Sequence, residues 1–201
     1  LDYALSKQAL FLQLQTLFGG QTVISDIFDT TYWSQGPYRL GDGMAVKYKV
    51  VPRVCGAPSL GRAPGGPNDD FLRRNANDRL AKGDICFDFL VQRQRDPKLN
   101  PVEDVVIEWM ESDTAPIKIA SIKIPAGQGI MSNERHALCE NASFSPWNGI
   151  AEHRPLGAIN RIRLTAYSGI SNKRRLENGV QRKELDGSES FFDVLKTVSK
   201  K

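Results

Sequence analysis

The chain has 201 residues, 40% hydrophobic and 25% charged, which suits one globular domain with a sizeable core. A net charge of +4 and a pI near 9.0 admit an anionic ligand or partner without demanding nucleic acid. No apolar run approaches the roughly 20 residues of a membrane span, and the amino end lacks a signal-peptide pattern.

The chain opens on Leu1 and runs straight into a helical pattern, so a piece of a longer protein is expected. Residues 2–18 space their apolar groups as a helix that stops at Gly19 and Gly20. Gly and Pro among aromatics make 31–43 a loop, and "MAVKYKVVP" (44–52) alternates as a strand ending at Pro52. Residues 55–68 are too rich in Gly and Pro for an element interior, and they contain no phosphate-cradling motif. A helix is predicted from Asp69 to Lys82, closed by Gly83. Strands are predicted over 85–94, 105–110 and 117–125. In the last, Ile117 and Ile119 share one parity while Ile122 and Ile124 share the other, which predicts a bulge near Ala120 and Ser121. After an irregular stretch from 126 to 158, Asn160 reads as the N-cap of a helix. Residues 188–200 read as an amphipathic tail helix. Strands and helices are largely segregated, so the expected class is α+β with an antiparallel sheet.

Cys55, Cys86 and Cys139 are odd in number and widely spaced, indicating neither a disulfide framework nor a zinc site. A reducing, cytoplasmic setting is expected on that basis. Asn141-Ala142-Ser143 matches a glycosylation sequon, a pattern too short to carry a conclusion. His136 and His153 stand near no nucleophile motif, and the paired acids Asp69-Asp70 and Glu103-Asp104 sit at predicted element ends.

Arg163, Tyr167 and Arg174 are four and then seven residues apart and share one helical face. A free phenol ionises near pH 10 and is a poor metal ligand when neutral. A guanidinium one turn earlier can donate to the oxygen and favour phenolate, a hard anionic ligand suited to ferric iron. Arg174 has the forked donors that suit a carboxylate such as a haem propionate. The bland alternative is a surface Arg–Tyr stacking pair. A further alternative is a basic interaction or nucleic-acid-binding module using Arg161, Lys173, Arg174 and Arg175.

The block "FSPWNGIAEHRPLGAINRIRLTAY" (144–167) resembles the proximal segment of the catalase-related haem proteins, especially their small, divergent branch. "TYWSQGPYRLGDGMAVKYKVVP" (31–52) is similar to that branch's stretch leading into a barrel strand. The resemblance implies haem b, with Tyr167 as the iron ligand and Arg163 as the donor that keeps it anionic. It implies Arg174 on a propionate, with Phe144 and Ile159 lining the porphyrin. Residues 1–158 would be the second half of a catalase-like β-barrel, and 159–201 the proximal haem helix and tail. The expected substrates are hydrogen peroxide or organic hydroperoxides, and the expected partner is the missing amino-terminal half, in the same chain or a second one. Neither a membrane nor nucleic acid is expected. Two departures from the family stand out: nothing matches the half that carries the distal histidine and asparagine, and the proximal His–Asp pair is absent, with no histidine over 43–49 and Gly157 where an Asp is usual. An altered proximal network leaves open a haem protein without turnover.

Overall fold

The computed structural model describes residues 24–61, 69–127, 136 and 139–180. The helices expected over 2–18 and 188–200 lie outside the described residues.

The segment expected as a loop over 31–43 contains two short strands, β1 (Tyr32–Trp33) and β2 (Tyr38–Arg39). Both pair antiparallel with β3 (Ala45–Arg53), Tyr32 opposite Val50 and Tyr38 opposite Val46. β3 pairs with β4 (Ile85–Arg93), and β4 with β5 (Ile117–Ile124), again antiparallel. Alternation in β3 and β4 puts Val46, Tyr48 and Val50 on one face with Phe89 and Val91. There Tyr48 stacks between Tyr38 and Phe89, at ring-centroid distances of 4.7 and 5.3 Å.

The expected irregularity in β5 is present. Phe89 faces Ala120 and Leu90 faces Lys118, so Ile119 is passed over and the register shifts there. Ile122 opposite Phe87 and Ile117 opposite Val91 therefore reach the same face despite their opposite parity. β5 is an edge, exposed along nearly all its length. Among the described residues the sheet stays open and does not close into a barrel.

Residues 105–110 correct the sequence reading, since no strand forms there. The fully buried Gln92 explains why. Its amide donates to the carbonyls of Trp109, Met110 and Thr114 at 2.9, 3.2 and 3.1 Å, and it thereby takes acceptors that a ladder would need.

Helix α1 (Phe71–Lys82) forms as predicted, with Asp70 before it and Gly83 after it. Ala76 and Leu80 pack with Phe28, Ala57, Ile85 and Phe87 into a core cluster. Buried Arg79 donates to Asp26 at 3.0 Å, Asp29 at 2.6 Å and the Ala57 carbonyl at 3.2 Å. A buried guanidinium needs such a set of acceptors to offset its lost hydration.

Cys55 and Cys86 form a disulfide, which corrects the expectation from their spacing and removes its support for a reducing setting. The 31 residues between them hid the pair. The antiparallel register sets Arg53 opposite Cys86, and the chain two residues further on brings Cys55 to it. Cys139 is free and exposed. Among the described residues no helix is long and apolar enough to cross a membrane.

Candidate functional site

Apart from Phe144, the candidate residues sit on α2 (Gly157–Glu177), which follows a short 3-10 turn at Ala151–His153. The helix begins four residues earlier than Asn160 as N-cap predicts, with Leu156 at its N-cap and no side-chain cap. Asn160 instead turns inward and is fully buried. Its amide donates to the Pro37 carbonyl at 3.0 Å and to the Leu156 carbonyl at 2.8 Å. Its main-chain carbonyl accepts the Trp147 indole N–H at 2.7 Å. Gly36 permits this seat, because a Cβ there would stand 2.7 Å from the Asn160 amide nitrogen.

The orphan N–H groups of α2 find a partner from another loop. Glu103 pairs bidentately with Arg161 at 2.8 and 2.9 Å and also accepts the Ala158 N–H. These bonds, the Arg161 guanidinium foremost, hold the Glu103 carboxyl below its ordinary range. Gly157 adopts φ +84, and a Cβ on it would lie 2.5 Å from the Val102 carbonyl oxygen. No side chain can occupy that position without displacing the 102–103 segment.

This frame aims one helical face. Ile159, Arg163, Tyr167 and Arg174 fall within about 80° of one another at 100° per residue. Arg163 and Tyr167 meet: Nη2 donates to the phenolic oxygen at 3.1 Å, and the guanidinium carbon stands 4.9 Å from the ring centroid. Arg163 also donates to the Asn160 side-chain oxygen at 3.3 Å, so the buried amide braces it from the helix start. The stacking alternative and the hydrogen bond thus coexist. Tyr167 remains 37% exposed. Arg174 does not join this pair; its Nη2 donates to the Ala142 carbonyl at 2.6 Å. Phe144, two residues beyond that carbonyl, is 70% exposed and makes no ring contact with Tyr167 among the described residues. Ile159 is half-buried at the start of the face.

The face offers one phenol and two guanidiniums as polar groups. An exposed phenol carries a hydrogen-bonded guanidinium, and the Nε atoms of Arg163 and Arg174 are buried with no acceptor among the described residues. Phe144 and Ile170 leave large apolar surfaces uncovered. No group of three or more His, Cys, Asp or Glu could hold a metal among the described residues. The residues of the basic-module alternative each have an intramolecular partner, while Arg161 and Lys173 remain exposed. Arg161 is locked to Glu103, Arg174 to Ala142 and Arg175 to Asn172, while Lys173 lies 3.8 Å from Glu177.

Sequence reasoning missed Asn160 as a brace and Trp147 and Glu103 as anchors. The signals were present in the quoted "FSPW" block and in an acidic pair set after Pro101-Val102.

The fold is catalase-like by comparison with known structures. Among solved structures the chain is similar to a bacterial catalase, with a TM-score of 0.52 and 16% sequence identity. The likeness covers 83% of this chain and 36% of that one, so the chain spans about a third of the catalase's length. No protein-family model matches the sequence, and no curated protein matches it.

Proposed function

We propose that the chain is the haem-holding part of a catalase-like protein that reacts with hydrogen peroxide or an organic hydroperoxide. The observation that carries this reading is the 3.1 Å hydrogen bond from Arg163 to the Tyr167 oxygen, presented on an open helical face. When bound, haem b would supply a ferric centre able to exchange electrons with a peroxide. Tyr167 would hold the iron through its phenolic oxygen. Arg163 would keep negative charge on that oxygen by donating to it, and Asn160 would hold Arg163 in line. Arg174 would turn from Ala142 to a propionate, with Ile159 and Phe144 along the porphyrin. The exposed edge of β5 is where the rest of a barrel would add, from the same chain or a second one.

The test is a haemin titration of this chain and of Tyr167→Phe, followed by absorbance. Saturable binding with a Soret band that shifts in the variant supports the reading, and superimposable spectra remove the ligand assignment.

One observation favours a second reading, haem binding without turnover. Gly157 is wedged against Val102, so no carboxylate can stand there to extend the network, and among the described residues Arg163 Nε lacks an acceptor. Oxygen release from hydrogen peroxide by the haem-loaded protein, joined to its remaining half, separates the two readings.

A further inference from the structure

A depression of about 340 Å³ opens where β4 runs out, lined by Met44, Arg93, Gln94, Arg95, Asp113 and Thr114. None of these residues belongs to the Tyr167 face, and the haem reading makes no use of them. The walls are built rather than casual. The Gln94 amide donates to the Asn100 carbonyl at 2.7 Å. The fully buried Asn100 side chain accepts from the N–H groups of Arg95 and Asp96 at 3.1 and 3.4 Å. Across the opening, the Thr114 carbonyl is held by Gln92.

Arg93 and Arg95 are exposed, and neither has a carboxylate partner among the described residues. Among the described residues the Arg95 side chain makes only a long 3.5 Å bond, to the Asp113 carbonyl. The Thr114 hydroxyl and the Asn100 amide nitrogen are both buried with no partner among the described residues. Two guanidiniums against the single carboxylate of Asp113 leave the depression positive.

We propose that this depression binds the phosphoryl group of a small anionic ligand. Arg93 and Arg95 supply forked donors to its oxygens. Thr114, turned about χ1, adds its hydroxyl. Asp113 sets a limit on the charge accepted and favours an ester that leaves an uncharged or donor-bearing group beside it. The proposal stands independently of haem binding.

Calorimetry in phosphate-free buffer tests it, with inorganic phosphate and glycerol phosphate as separate ligands. One saturable site for either ligand is expected, and the stronger of the two identifies the free ion or the ester as the occupant. Arg93→Gln and Arg95→Gln should each weaken that site by about tenfold or more. Lys173→Gln removes the same charge from an exposed helix position and should change affinity by no more than about twofold. Thr114→Val should weaken binding with the unfolding midpoint unchanged, which separates ligand contact from folding. No saturable heat with either ligand overturns the proposal, as does equal weakening by Arg93→Gln, Arg95→Gln and Lys173→Gln.

Discussion

The Cys55–Cys86 disulfide makes a prediction whose size follows from chain topology. The bond closes a loop with a sequence separation of 31 and ties the exit of β3 to the entry of β4. Constraining the unfolded chain over that length corresponds to about 12 cal/mol/K, or about 3.7 kcal/mol at 25 °C, in the loop-closure treatment. Replacing both cysteines by alanine should remove that contribution and add little else, since only a sulfur is lost from each site. With a urea slope of about 2 kcal/mol/M, the midpoint should fall by about 1.8 M. The oxidised protein should titrate with one free thiol, Cys139, and the reduced protein should unfold with the double variant. A count of three thiols under oxidising conditions would refute the pairing. Coincident midpoints for oxidised and reduced protein would refute the energetic reasoning.

Three further predictions concern the core and the frame of the site. Asn160→Ala strands the Pro37 carbonyl and unbraces Arg163, and it should cost about 1–3 kcal/mol in a denaturant titration. Arg79→Ala leaves Asp26 and Asp29 without their cation and should cost about 3–5 kcal/mol, read the same way. Glu103 has a folded pKa below its unfolded value of about 4.3, so its contribution is present above that pH and is lost as pH falls through the folded value. Glu103→Gln should therefore flatten the acid limb of the stability–pH curve while lowering stability at neutral pH.

Most of the sheet was legible because its strands follow a simple period. β3 and β4 formed where their β-rich apolar runs placed them, and the parity switch in β5 resolved into a skipped residue at Ile119. Where the reading failed, a partner distant in sequence had replaced a local rule. "VVIEWM" has strand composition, yet Gln92 from β4 takes its carbonyls. Asn160 has N-cap chemistry, yet its amide is taken by Pro37 across 123 residues, and Glu103 serves the helix start instead. The two cysteines meet only because β3 and β4 are paired in one register. Of the site, the Arg163–Tyr167 contact was legible because helical geometry alone makes it. Arg174 was legible in position but not in partner, since the Ala142 carbonyl comes from an irregular stretch with no period to read.

The central claim is that the oxygen of Tyr167 is the protein's bond to iron. Resonance Raman spectroscopy of haem-loaded protein, prepared with ring-deuterated tyrosine, addresses that bond without relying on turnover. Phenolate bands that shift with the label and vanish in Tyr167→Phe are the predicted result. Spectra insensitive to both the label and the substitution would contradict it.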